Sequence, residues 1–157
     1  SPDEAQRQME QATTQFGVDG FVGVYAANDG TAGGAIAAMK AAGVDPLPPV
    51  TGQDAELAAI QRILAGEQFM TVYKAIKPEA EIAAEVAIAL ARGEDPPEEW
   101  VNEQVDNGQG DIPSQILDPV SVTADNVNDT IVADGFWAVD EICEGDFAAA
   151  CEAAGIG

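Results

Sequence analysis

Phe21-Val22-Gly23-Val24-Tyr25-Ala26-Ala27-Asn28-Asp29-Gly30-Thr31-Ala32-Gly33-Gly34-Ala35 is the stretch on which the fold turns. Phe21 to Ala26 is a short apolar run without polar alternation, which predicts a strand buried on both faces. Asn28-Asp29-Gly30 breaks that run. Thr31 to Ala42 then reads as an alanine-rich helix, with Gly43 placed as its stop. A strand that passes through a polar break directly into a helix is the opening half of a strand-helix-strand unit.

The same alternation extends on both sides. Upstream, Pro2 to Phe16 reads as a helix: proline stands in the first turn, acids follow it, and Met9, Ala12 and Phe16 recur at helical spacing. Downstream, Pro48 to Thr51 leads a second strand, Ala55 to Ala65 a helix closed by Gly66, and Phe69 to Tyr73 a third strand. Pro78 opens a long helix to Ala91. Short loops join these elements, so the chain is of α/β class, a parallel sheet flanked by helices.

The texture changes after Gly93. Glu94 to Asp111 holds 7 acids and no base, which predicts a surface excursion. Pro119 to Val122 reads as a last strand, Ala124 to Ile131 as a short helix capped by Thr123, and the chain from Asp134 as a tail. Two features ask for additional structure. Three strands before residue 75 leave sheet edges to cover. The helix 78–91 carries an apolar stripe, Ile82, Val86, Ala89 and Leu90, that needs a partner surface.

Composition narrows the function. The net charge is −22, from 28 acids against 6 bases, a field that repels phosphate backbones and anionic headgroups. Nucleic acid and membrane surfaces are therefore poor partners, and a neutral small molecule suits the chain best. Histidine is absent, which argues against Ser-His or Cys-His catalysis and against a conventional zinc site. No enzyme activity, cofactor or metal is expected. Asp125, Asn126, Asn128 and Asp129 cluster, as do Asp106, Asn107 and Asp111, but neither follows the twelve-residue calcium-loop pattern, and both read as solvated surface. No apolar run is long enough to span a bilayer. The start, Ser1-Pro2-Asp3-Glu4, is not a signal peptide, so an export signal would have been removed or would precede Ser1. Cys143 and Cys151 are spaced to close a short loop. In an exported protein that spacing predicts a disulfide, and in a reducing compartment an idle pair.

In open parallel α/β sheets, ligands bind beyond the carboxyl ends of the strands. The three strand ends here carry Asn28-Asp29, Gln53-Asp54 and Lys74. An amide, a carboxylate and an ammonium supply the donors and acceptors that a polyhydroxylated neutral ligand needs. Each group also has an ordinary reading: Asn28 or Asp29 as a cap of the following helix, Asp54 as a cap of helix 55–65, Lys74 as a surface lysine.

At these same strand ends the sequence resembles the type I periplasmic sugar-binding proteins. Val24 to Ala35 resembles the segment in which the family's asparagine contacts sugar. Gly52-Gln53-Asp54-Ala55 resembles the segment with the sugar-binding aspartate, and Met70-Thr71-Val72-Tyr73-Lys74 the hinge strand, where the xylose-binding branch carries lysine. Val105-Asp106-Asn107-Gly108, Ile112-Pro113-Ser114, Leu117-Asp118-Pro119-Val120 and Asp129 to Phe136 fit the same branch, so the resemblance runs from about Ala5 to Ile142.

The resemblance implies an incomplete two-lobed fold. Residues 1–73 would form the C-terminal sugar-binding lobe, 74–117 a crossing strand and a segment packing on an absent N-terminal lobe, and 118–157 the return crossing and tail. It implies Asn28, Asp54 and Lys74 as sugar ligands, with the remaining ligands in an N-terminal half that is a separate chain or lost. Trp100 and Trp137 match no stacking position and read as packing residues. The protein would be the extracytoplasmic component of an ABC transporter, periplasmic or at the cell surface, with a membrane permease as partner and a monosaccharide, xylose first, as ligand. Two rivals share the fold class. The ligand-sensing core of a sugar-responsive repressor is opposed by the acidity and the paired cysteines. A nucleotide-binding enzyme is opposed by the absence of G-x-G-x-x-G spacing and of a P-loop lysine.

Overall fold

Ser1 sets the first element. Its side chain accepts from the Glu4 N–H and Pro2 stands at the first helical position, so α1 runs Pro2–Phe16 and stops at Gly17. The computed structural model describes all 157 residues. They divide into two compact units, Ser1–Tyr73 with Val120–Gly157, and Lys74–Pro119.

In the first unit α1 lies along α2 (Asp29–Ala42). Their approach is close enough that a Cβ on Gly34 would stand 2.1 Å from the Pro2 carbonyl oxygen. The helix α2 starts two residues earlier than its sequence suggests. Asn28 and Thr31 form a reciprocal capping box that recruits Asp29 and Gly30 into the first turn. Its inner face, Ala32, Ile36 and Met39, packs with Ala26, Val44 and Val50 into a core that Met9, Phe21, Val24 and Leu47 flank. Burying side chains of this size stabilises by about 1.5–3 kcal/mol each for the larger ones. The helix α3 (Leu57–Leu64) adds Ala59, Ile60 and Ile63 to the buried set.

The strands are shorter than predicted. The segment around Val24 joins that around Val50 in parallel, through Val24 N–H to the Pro49 carbonyl (2.9 Å) and Thr51 N–H to the Val24 carbonyl (3.0 Å). Gln53 in turn bridges Val72 in parallel, beside β1 (Thr71–Tyr73). The expected burial of Phe21 to Ala26 on both faces is corrected: Val22 is 96% and Tyr25 88% exposed. Only the side of this segment turned toward α2 is covered, and Val24 bridges a single neighbouring segment. The parallel run of segments carries one antiparallel addition, at the strand whose direction the sequence left open. On the other side of β1, β4 (Val120–Val122) pairs antiparallel, with Thr71 opposite Val122 and Tyr73 opposite Val120.

The region after β4 differs from the sequence reading. Instead of a helix over 124–131 capped by Thr123, turns lead into a π-helical stretch, Asn128–Val132. Asn126 occupies the local backbone, accepting from Thr123 N–H (2.9 Å) and donating to the Ser121 carbonyl (3.0 Å), which diverts the chain from α geometry. The chain from Asp134, read as a tail held by the disulfide, contains short elements of its own. It forms α5 (Val139–Ile142), a 3-10 turn Gly145–Phe147 and α6 (Ala148–Ala153), and it buries Ile142, Cys151 and Ile156. Cys143 and Cys151 are joined by a disulfide.

In the second unit α4 runs Ile76–Ala91, so Pro78 sits inside the first turn, where a missing N–H leaves no hydrogen bond broken. None of its residues is buried, and Ile88 and Leu90 are largely exposed. The acidic excursion holds a 3-10 turn, Glu98–Trp100, and a hairpin of β2 (Glu103–Asp106) and β3 (Asp111–Ser114). Asp106 and Asn107 accept from the N–H groups of Gly108 and Gln109 at its tip.

Candidate functional site

The segments around Val24 and Val50 run parallel, so their carboxyl ends lie at one edge of the first unit. The turns that leave those ends are tied together. Asp29 N–H donates to the Gln53 carbonyl (2.9 Å), and Asp54 N–H donates to the Val72 carbonyl (2.9 Å). Asn28 and Asp54 therefore stand on adjacent, hydrogen-bonded turns, both half-buried. Lys74 is exposed and opens the second unit, Lys74–Pro119.

Asn28 caps α2, as its ordinary reading has it. Its Oδ1 accepts from the Thr31 N–H (2.9 Å) and the Thr31 hydroxyl (2.8 Å). The cap fixes the amide through Oδ1 and does not engage the Nδ2 donors. Asp54 is different, because it does not stand at the N-cap of the following helix. The residue before α3 is Glu56, whose side chain makes no cap, and the Glu56 N–H is taken by Asp29 Oδ2 at 3.0 Å. Asp54 and Ala55 are consecutive non-glycine residues with φ of 98° and 52°. Each left-handed residue of this kind costs about 1–3 kcal/mol. The surroundings over-determine the turn: Ala55 N–H donates to Thr71 Oγ1 (3.2 Å), and the Ala55 carbonyl accepts from Trp137 Nε1 (2.8 Å).

The hub beneath both turns is Asp29, fully buried. Thr71 Oγ1 (2.8 Å) and Gln68 Nε2 (2.8 Å) donate to its carboxylate along with Glu56 N–H. Arg62 reaches its carbonyl (3.0 Å) and the Gln68 Oε1 (3.0 Å). Burial raises the Asp29 pKa above the usual carboxylate value, against the lowering effect of the three hydrogen bonds and of Arg62. Burial likewise lowers the pKa of Arg62, against the raising influence of Asp29. Gly52 makes the hub possible: a Cβ there would fall 2.0 Å from Asp29 Oδ1 and 2.6 Å from Gln68 Nε2. This glycine is needed for closeness rather than for an unusual φ. Below β1, the Tyr73 hydroxyl donates to Asp134 Oδ2 (3.1 Å), and burial raises its pKa, with Asp134 adding to the shift.

Of the residues in this network, the sequence reading placed Asp29 with Asn28 at the strand-end rim or as a cap, whereas it is fully buried, and it passed over Gln68, Thr71 and Arg62. Trp137, read as packing, also donates into the turn. The available signals were the Asn-Asp pair, one residue capping and the other free to turn inward, and a glycine directly before Gln53-Asp54. In the clusters at 106–111 and 125–129, Asp106, Asn107 and Asn126 accept from hairpin and turn N–H groups, and Asp111, Asp125 and Asp129 face solvent.

Residues 1–95 match the periplasmic binding protein domain, and the chain belongs to that family. Its fold is the type I α/β fold of those proteins: it superposes on a carbohydrate transporter solute-binding protein from Chloroflexus aurantiacus in complex with D-glucose. The TM-score there is 0.78 at 31% identity, over 90% of this chain and 41% of that one. An ABC transporter solute-binding protein from Clostridium phytofermentans with bound β-D-glucose gives 0.75 at 30% identity, over 90% and 44%. Among relatives by sequence, the D-xylose-binding periplasmic protein of Escherichia coli (strain K12) is 43% identical over 141 residues, 90% of this chain and 42% of its own length. The multiple sugar-binding periplasmic receptor of Rhizobium radiobacter is 32% identical over 146 residues, 90% and 41%. The chain thus spans about two fifths of the length of these relatives.

Proposed function

We propose that this chain is the C-terminal part of an extracytoplasmic solute-binding protein of an ABC transporter, which captures a monosaccharide, D-xylose first, without chemistry. The observation that carries the reading is the pair of hydrogen-bonded turns at the carboxyl ends of parallel segments, one offering an amide and the other a carboxylate. Such a pair, fixed before the ligand arrives, gains affinity because little is left to order on binding. The identity to a D-xylose-binding relative over 90% of the chain supports the choice of sugar.

In this reading Asn28 donates to, and Asp54 accepts from, sugar hydroxyls. Lys74 is the third ligand, proposed on the family resemblance. The N-terminal half of the protein supplies the rest of an interlobe cleft, the lobes close on the sugar, and a membrane permease recognises the closed form. The test is calorimetric titration of the full-length protein with D-xylose, D-glucose and D-ribose. Binding of one sugar per protein, tightest for D-xylose, is expected. Absence of binding to every monosaccharide would remove the reading, and a preference for glucose would replace the sugar while keeping the class.

A further inference from the structure

Four backbone groups of residues 53–56 are tied to Asp29 or to the Thr71–Val72 segment. The Gln53 carbonyl meets Asp29, Asp54 N–H meets Val72, Ala55 N–H meets Thr71, and Glu56 N–H meets the Asp29 carboxylate. The Ala55 carbonyl has its partner in the C-terminal segment, 82 residues away: Trp137 Nε1 at 2.8 Å. Ala55 is 0% exposed. Without its donor the buried Ala55–Glu56 peptide would reorient, shifting ψ of Ala55 and releasing the Glu56 N–H from Asp29, and the strained left-handed pair Asp54 and Ala55 would lose the bond that closes it on that side.

The C-terminal segment is itself anchored on either side of Trp137. Before it, the ring of Phe136 stands edge-on to Tyr73 (5.0 Å) and to Trp137 (5.6 Å), and Tyr73 bonds Asp134. After it, Gln61 Nε2 donates to the carbonyls of Glu141 and Ile142, each at 3.3 Å, and the Cys143–Cys151 disulfide closes the following loop. The indole is thus held at a fixed place and orientation.

We propose that Trp137 is a positioning residue of the sugar site: its indole N–H holds the left-handed 54–55 turn, so that the Asp54 carboxylate is set before the ligand arrives. The inference rests on the reading of Asp54 as a ligand and extends it to a residue that touches no sugar. The C-terminal segment then acts on affinity through one hydrogen bond.

The test is a double-mutant cycle on the full-length protein, read by calorimetric titration with D-xylose. Trp137→Phe keeps an aromatic ring against Phe136 and removes the donor. Affinity is expected to fall about tenfold, the size of one lost hydrogen bond, with the unfolding transition retained. In an Asp54→Ala background the same substitution is expected to change affinity less than twofold, because the group it positions is gone. Wild-type affinity in Trp137→Phe, or an equal penalty in both backgrounds, overturns the inference while leaving the Asp54 assignment standing. Unchanged affinity in Asp54→Ala alone overturns that assignment first and the inference with it. A second measurement does not depend on the folding of Trp137→Phe. With the Trp137 indole proton assigned through its contact with the Phe136 ring, its exchange should slow at least severalfold at saturating D-xylose. An unchanged exchange rate also overturns the inference.

Discussion

Asp29→Ala removes the acceptor at the centre of the network beneath the site. Two fully enclosed donors, the Thr71 hydroxyl and one Gln68 Nε2 proton, lose their partner, and so does the Glu56 N–H at the start of α3. Gln68 keeps its second bond, to the Met70 carbonyl at 3.1 Å. Each orphaned buried donor costs about 1–3 kcal/mol. Against this, the variant no longer buries a carboxylate, a gain consistent with the raised Asp29 pKa. The balance is a loss of about 3 kcal/mol, which for a urea m-value near 2 kcal/mol/M lowers the unfolding midpoint by about 1.5 M.

Asp29→Asn refines the test. The amide keeps the shape but turns an N–H pair toward donors, and an intermediate loss of about 1–2 kcal/mol is expected. The pH dependence has a definite sign. A carboxyl whose native pKa lies above 3.8 binds more protons folded than unfolded. Its contribution to stability is therefore fully present below the unfolded value and is lost as pH rises through the native one. The difference between wild type and Asp29→Asn should shrink over that window, and comparing the two cancels the background of the other acids. Chemical denaturation followed by circular dichroism at several pH values reads all of this. An Asp29→Ala midpoint equal to wild type would refute the idea that the hub holds the turns.

Asp54→Ala or Lys74→Ala should weaken D-xylose binding by about 1–3 kcal/mol, since each leaves sugar hydroxyls unpaired; titration showing no change in both would remove them from the site. Gly34→Ala should destabilise by about 1–3 kcal/mol, because its Cβ would meet the rigid Pro2 carbonyl at 2.1 Å, whereas Gly33→Ala, whose Cβ would stand 3.1 Å from the end of the Arg62 side chain, should be milder; thermal melts of the pair check the contrast. Replacing Cys143 and Cys151 with serine should cost about 2–3 kcal/mol for a loop of this length, and a thiol assay on unreduced, denatured wild type should find no reactive cysteine.

What the sequence made legible were elements with local punctuation. The helix α1 follows from Ser1, Pro2 and Gly17, all adjacent to it. The two turns at Asn28 and Asp54 were found because polar residues interrupt apolar runs there. Asp29 was harder: its inward turn depends on Gly52, Gln68 and Thr71, which meet it only after the segments align. The direction of β4 was likewise hidden, since Val120-Ser121-Val122 carries the same apolar signal in a parallel or an antiparallel ladder. The last segment gave no usable period, because its buried residues, Ile142, Cys151 and Ile156, come from separate short turns. What orders them is attachment to α3 and the disulfide, neither of which is local.

The chain leaves the first unit after Tyr73 and returns at Val120, and these two residues are register partners in one antiparallel ladder. Lys74–Pro119 is therefore a long excursion between the two legs of what is, locally, a hairpin. A two-residue turn is enough to join such legs. The intervening segment can thus grow, shrink or be exchanged without moving the ends to which it is grafted, and length variation between homologous proteins should be tolerated far better there than at the joins.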